Sequence, residues 1–179
     1  MMTGYLSPED LNQIIFQALN RALALERAES CLLRRAWTNP APPPPPPDRN
    51  VLYYHLQPDG PSERTEVSRS PEGFPRFFRF LPLRLEITLY GPQAEPLAWG
   101  LARRLTQDGP DSPRRILRSA LLFPLPAPAS PRKIPETWQE SLRPRVDLTV
   151  PLRLAAVEED TSPSSGILET PPDIRIFRD

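Results

Sequence analysis

Hydrophobic and polar positions alternate strictly in two segments of the chain. Segment 76–90 carries leucine or isoleucine at every odd position from 83 to 89, and polar residues or tyrosine at the even positions. Segment 145–154 carries valine or leucine at every even position from 146 to 154. A period of two is typical of a strand with one buried and one solvated face, so the pattern predicts two long strands. Pro82 marks a position where the first strand could be interrupted.

Two other segments repeat apolar residues at helical spacing, which predicts helices over 8–28 and 93–105. Ser7 can cap the first helix, and Pro8 suits its first position. The apolar stripe of this helix is expected to cover the buried faces of both long strands. A further short helix is expected through Ile116.

The remaining segments predict shorter strands and loops. Strands are predicted at 30–38, 51–57 and 121–125, loops at 39–50 and 126–135, and an exposed loop or hairpin tip at 62–73. The order of elements predicts an α+β fold: a largely antiparallel mixed sheet with two main helices packed on one face, proline-rich loops and an extended C-terminal tail. We assign 1–157 to this domain. Because 158–165 is acidic and serine-rich, we assign 158–179 to a flexible linker followed by an extended C-terminal arm.

Proline is the compositional outlier, with 27 prolines against 7 glycines in 179 residues. Six prolines are consecutive and predict a stiff polyproline segment, because proline lacks the amide donor of a helix or an inner strand. The segment is either a spacer between two strands or a ligand for an aromatic-lined groove. The six candidate interface residues are Pro42, Pro43, Pro44, Pro45, Pro46 and Pro47.

The C-terminal arm, 166–179, carries apolar residues that a free chain end does not need. It is either a strand that adds to an exposed sheet edge or a frayed terminus. The expected core ends near Leu154, so the linker gives the arm enough reach to cross to another subunit. The candidate interface residues of the arm are Ile167, Leu168, Ile174, Ile176 and Phe177.

Charge and reactive side chains exclude several classes of function. The 22 basic and 22 acidic residues balance, which argues against a general nucleic-acid binder. His55 is the only histidine and Cys31 the only cysteine, so the sequence predicts no disulfide and no zinc site. No glycine-rich phosphate loop and no membrane-spanning run are found. We therefore expect no catalytic residue, no cofactor, no metal and no membrane contact.

Several motifs, none of them specific alone, form an ordered set that resembles the phage neck terminator proteins, which are related in role to tail terminators. The set begins with the amphipathic first helix and continues through the long strand that ends at Tyr90-Gly91 and runs into a helix. The other matching motifs are Arg35-Ala36-Trp37-Thr38-Asn39-Pro40, Val51-Leu52-Tyr53-Tyr54, Trp138-Gln139-Glu140, the alternating strand 145–154, Gly166-Ile167-Leu168-Glu169 and Pro172-Asp173-Ile174-Arg175-Ile176.

The resemblance implies a structural protein that forms a ring, often a hexamer, at the top of the tail tube. Such a ring stops tube growth and joins the head–tail connector below the portal. Its implied partners are further copies of the chain, tail tube and sheath proteins, and connector proteins. Genomic DNA would pass through the lumen without specific binding. The implied location is the neck of the virion, assembled in the host cytoplasm, and no active site is carried over.

The chain departs from this family in its six-proline run and in the loop 124–135, which leaves the loop contacts open. Three alternatives remain beside the terminator. The first is another head–tail connector or tail-completion subunit. The second is a proline-rich adaptor that docks onto partner domains, and the third is an enzyme with an unrecognised site. Ring formation would separate the terminator and the connector or tail-completion subunit from the adaptor.

Overall fold

The structure is a computed structural model that describes residues 7–38, 44–69, 75–126, 130–138 and 141–159. The helices are α1 Pro8–Leu25, α2 Ala94–Thr106 and α3 Pro113–Ser119. The strands are β1 Leu32–Arg35, β2 Val51–Pro58, β3 Glu63–Arg69, β4 Pro75–Tyr90, β5 Leu122–Pro124, β6 Arg132–Trp138 and β7 Ser141–Glu159. The predicted α+β class is confirmed. Within the described ranges, no helix has the length and apolarity needed to cross a bilayer.

The two long strands form the centre of one mixed sheet. β4 and β7 pair antiparallel from Arg76 opposite Glu159 to Tyr90 opposite Arg145. On the outer side of β4 lie β2 and β3, and on the outer side of β7 lie β6 and β5. β1 forms the edge beyond β2, and this pair alone among the described strands is parallel. The predicted, largely antiparallel sheet is therefore confirmed.

Both central strands run through a proline without a break. Pro82 accepts a hydrogen bond from the Asp59 amide (2.9 Å), so its backbone faces the side of β2 and β3. It falls in the gap between these strands, where no amide donor is needed. Pro151 accepts from the Leu125 amide (3.0 Å) and falls in the matching gap between β6 and β5. The interruption considered at Pro82 is therefore absent.

The helices pack on one face of the sheet and close a single core. α2 makes the closest approach to β4 and β7, whereas α1 packs against α2, α3 and β1. The expectation that α1 covers both long strands is therefore wrong in its detail, because α2 occupies that position. The stripe of α1 still enters the same core. The largest fully buried side chains of the core are Ile15, Leu19, Leu23, Leu52, Leu85, Ile87, Leu89, Leu101, Leu105, Leu117, Leu122 and Leu148.

α1 begins where the sequence predicts and ends earlier. The Ser7 hydroxyl accepts from the Asp10 amide (3.1 Å) while the Asp10 carboxylate accepts from the Ser7 amide (3.0 Å). These hydrogen bonds hold the pKa of Asp10 below its ordinary value. The helix ends at Leu25 rather than at residue 28, because Arg27 adopts a left-handed backbone with φ 55°.

Several predicted loops and boundaries need correction. β3 lies in 62–73, which was predicted as an exposed loop or hairpin tip, and it pairs antiparallel with β4. β6 occupies part of 126–135, which was predicted as a loop. β3 lacks an apolar alternation, so its sequence does not resemble a half-buried strand. β6 contains Pro135, which sits opposite Pro144 at the rim of the sheet, where missing amides cost little. β7 runs to Glu159, so the first two residues of the predicted linker belong to this strand.

The parallel pairing of β1 with β2 explains the long connection between them. Parallel neighbours need a return crossover of about a dozen residues or more. Residues 36–50 supply it, and the proline run lies within them. The described residues of this connection, 36–38 and 44–50, contain no helix. A polyproline segment rises about 3.1 Å per residue and is stiff. It can therefore cover the return from β1 to β2 with little loss of conformational entropy on folding.

Candidate interaction surfaces

The sheet has one face that no described helix covers, which we call the open face. Alternation along each strand places on it the side chains that do not point to the core. They include a tyrosine pair, the single histidine and both signs of charge. On β2, β4 and β7 these residues are Tyr53, His55, Gln57, Arg84, Glu86, Thr88, Tyr90, Arg145, Asp147, Thr149 and Arg153.

Charged groups on the open face pair with one another. Arg145 donates to both carboxylate oxygens of Asp147, at 2.9 and 2.8 Å, and these hydrogen bonds raise the pKa of the arginine. The Tyr90 hydroxyl donates to Glu136 at 2.7 Å. Burial, followed by this hydrogen bond, raises the pKa of Tyr90 to about 12. Groups held in this way are poor proton-transfer groups near neutral pH, because a general acid or base needs a pKa close to the working pH.

A second carboxylate on the open face, on β4, is also held by neighbouring polar groups. Glu86 accepts from Gln57 at 2.9 Å and lies 3.4 Å from the guanidinium of Arg84. His55 is opposite Glu86 in the β2–β4 register. Its ring contacts Trp37, with the two ring centroids 6.0 Å apart. The open face therefore combines several paired charges with aromatic rings.

Trp37 is the functional candidate that the sequence prediction missed. We predicted it inside a strand over 30–38, but β1 ends at Arg35 and Trp37 has a left-handed backbone with φ 58°. Its side chain is 83% exposed. A left-handed backbone costs a non-glycine residue conformational free energy. An indole that stays in water has no hydrophobic stabilisation to offset this cost. Buried tryptophans often anchor protein interfaces, so this position suits a contact with a partner.

A groove lies between α1 and the edge strand β1, with a volume of about 390 Å³. Glu9 and Arg35 form an ion pair across it at 3.3 Å. Tyr54 is only 4% exposed. Burial raises the pKa of this tyrosine. We call this the α1–β1 groove, and its lining residues are Glu9, Asn12, Gln13, Phe16, Arg35 and Tyr54.

The described part of the proline run lies against the sheet of its own chain. The Pro45 carbonyl accepts a hydrogen bond from the Arg143 guanidinium. Prolines 45–47 line a small cavity of about 100 Å³ together with Tyr90, Gly91 and Pro144. This position agrees with the crossover between β1 and β2. Contact of the run with a neighbouring subunit stays a prediction, and Pro42 and Pro43 lie outside the described residues.

The other predicted interface residues, Ile167, Leu168, Ile174, Ile176 and Phe177, also lie outside the described residues. Cys31 is buried in the core, as predicted for a small structural residue. Burial raises the pKa of its thiol to about 11, so its thiolate is scarce near neutral pH. In the described part of the chain, no three histidine, cysteine, aspartate or glutamate residues lie close enough together to hold a metal ion.

No protein-family model matches this chain, and no characterised protein is significantly similar to it.

Proposed function

We propose that this chain is a structural subunit of a phage neck, one copy of a ring that terminates the tail tube and joins it to the head–tail connector. The sequence motifs of the neck terminator proteins motivate this proposal. Trp37 is the structural observation that supports this proposal most directly. An exposed indole on a left-handed backbone suits a surface that another protein completes. The charge pairs on the open face, such as Arg145 with Asp147, suit a surface for contact rather than for catalysis.

The sheet also extends beyond the core in a way that suits contact between subunits. β3 pairs with the first part of β4, and the last residues of β7 lie on the other side of β4. Phe77 and Phe80 in this extension are partly buried. An extended sheet can reach a neighbouring subunit and bury surface on it.

Electrostatic balance fits a ring through which DNA passes. The formal net charge is zero, and several described arginines lie beside carboxylates. Affinity for phosphates grows with each basic group that is available to neutralise them. A lumen lined by this chain would therefore let a duplex slide instead of holding it. The hexamer, the contacts with tube, sheath and connector proteins, and the location in the virion neck all form part of the proposal.

Two measurements on the purified protein test the proposal. Size-exclusion chromatography with light scattering should give a mass six times the 20.3 kDa of one chain, and electron micrographs should show closed rings. Trp37→Ala should weaken ring formation at an unchanged melting temperature, because an exposed side chain adds little to monomer stability. Protein that stays monomeric at every concentration, or rings that ignore the loss of Trp37, would contradict this account.

A further head–tail connector or tail-completion subunit remains the alternative within the same class, and co-purification with tube or connector proteins distinguishes the two. The adaptor alternative fits the geometry less well, because prolines 45–47 face their own sheet. An adaptor is also expected to stay monomeric and to lose its partner when the proline run is replaced. The same light-scattering experiment therefore separates it from a ring subunit.

A further inference from the structure

One edge of the sheet ends in β1, whose outer side is unpaired among the described residues. The Leu32 amide donates to Asn50 (2.9 Å) and the Ala36 amide donates to Tyr54 (2.8 Å), so the alternate residues of β1 bond to β2. The backbone groups of Leu33 and Arg35 point the other way, because neighbouring residues of a strand face opposite sides. An exposed edge of this kind can pair with another strand.

The α1–β1 groove opens directly beside this edge. Its floor is the buried side chain of Tyr54. Glu9 and Arg35 place one charge of each sign at its wall. Phe16, 43% exposed, adds an apolar wall. A strand added to β1 would direct alternate side chains into the groove, which offers both charged and apolar contacts.

We propose that residues 173–177 of a second copy of this chain add to the outer edge of β1 and place their side chains in the α1–β1 groove. This inference rests on the proposed ring, since the ring brings a second copy within reach. It names the receiving site of the C-terminal arm, which the sequence prediction left open.

The chemistry of the arm matches the groove. Asp173, Arg175 and Phe177 occupy alternate positions, so an extended segment presents them on one side. The charges are complementary, because the carboxylate suits Arg35 and the guanidinium suits Glu9. The phenyl ring of Phe177 can pack on Phe16. The two prolines at 171–172 disfavour a helix immediately before this segment and limit the entropy lost on binding.

The length of the linker favours a second copy over the same chain. β7 ends at Glu159, and residues 160–172 span at most about 45 Å. The groove of the same chain lies at the other end of the sheet, about 36 Å along the strands and three strands across. The linker would have to be stretched almost fully around the sheet to reach it. A neighbour can bring its own groove closer at a smaller entropic cost.

Disulfide trapping tests the proposal on the full chain. Gln13→Cys places a thiol in the groove, and Arg175→Cys places one on the arm. Each single variant carries a different affinity tag, and the two are co-expressed and mildly oxidised. Mass spectrometry should then find a 13–175 disulfide between differently tagged chains. Cys31 can remain, because its buried thiol reacts poorly. Phe16→Cys offers a second groove position if the first variant folds poorly.

The matched control is Thr149→Cys, an exposed position on the open face. We expect at least about ten-fold less disulfide between 149 and 175 than between 13 and 175. Arg35→Glu should lower the yield, and Asp173→Arg in the arm should restore it by reversing the same charge pair.

Two results would overturn the proposal. A chain that carries both cysteines and forms the 13–175 disulfide only within itself would show that the arm occupies its own groove. If no sample contains the 13–175 disulfide, the arm does not bind in the groove and the proposal is wrong. Ring formation is measured separately by light scattering. Rings without the cross-link would reject this inference and leave the proposed function standing, whereas monomers would reject the ring itself.

Discussion

Leu148→Ala probes the central claim about the core. Leu148 is 1% exposed and faces Ile87 across the β4–β7 pair, beneath α2. Removing most of a fully buried leucine side chain loses its transfer free energy and leaves a cavity, because the packed surroundings relax only in part. We expect the free energy of unfolding to fall by about 2–5 kcal/mol. Leu85→Ala, at a side chain with 0% exposure, should cost a similar amount.

Urea unfolding followed by far-ultraviolet circular dichroism measures this loss. With a slope of about 2 kcal/mol/M, the midpoint should fall by about 1–2.5 M. The slope itself should not change if both proteins unfold in one step. Ile87→Val, which removes a single methyl group, provides a milder variant with an expected cost of about 0.5–1.5 kcal/mol. It remains useful if the alanine variants do not fold.

Thr149→Ala is the matched control, since Thr149 is the next residue of β7 and is exposed on the open face. Its effect should stay within about 0.5 kcal/mol. A midpoint that is unchanged for Leu148→Ala, or equal losses for Leu148 and Thr149, would refute the assignment of faces. A one-residue shift in register exchanges the two faces of a strand, so this comparison also tests the register of β7.

Four further predictions concern other regions. Burial and Glu136 raise the pKa of Tyr90 from 10.0 to about 12. The stability of the protein should therefore fall as the pH rises through this range, because the tyrosine of the unfolded chain releases its proton first. Tyr90→Phe should reduce this loss of stability in urea melts at increasing pH. Cys31, with a pKa of about 11, should resist alkylation near pH 8 in the native protein and react in urea, as mass spectrometry can check. Replacing residues 42–47 with glycine and serine should leave the monomer folded but weaken assembly in light scattering; normal assembly would leave only the spacer interpretation. Deleting the residues after Asp160 should leave β7 complete and the melting temperature unchanged, but should prevent the formation of stable rings. A lower melting temperature would mean that the arm folds back onto its own domain.

The sequence predicted the elements whose side chains meet water on one face and the core on the other. β4 and β7 are such elements, and their alternation follows directly from the position of the core. The start of α1 was also predictable, because the Ser7 cap and Pro8 act within one turn of the chain. The expected absence of a catalytic site came from composition alone. It stays a prediction, although several charges on the open face are paired.

The sequence could not predict features that depend on long-range pairing. β3 has no apolar alternation, and β6 contains a proline, so neither has a local strand signal; both exist because a longer strand offers its edge. The groove candidates Glu9, Phe16 and Tyr54 lie on two separate elements and carry no shared motif. The sequence around Trp37 resembled a strand, because nothing in it reveals the left-handed backbone that the turn after β1 imposes.

The sequence by itself determined the fold class and the two central strands. Burial and helix capping act on residues close in sequence, so their patterns are visible in one dimension. Tertiary structure alone decided that α2 rather than α1 covers the central strands, that β1 runs parallel to β2, and that Pro82 and Pro151 fall in gaps between flanking strands. These outcomes depend on which distant segments meet, and hydrogen-bond pairing and packing between such segments leave no periodic mark on the chain.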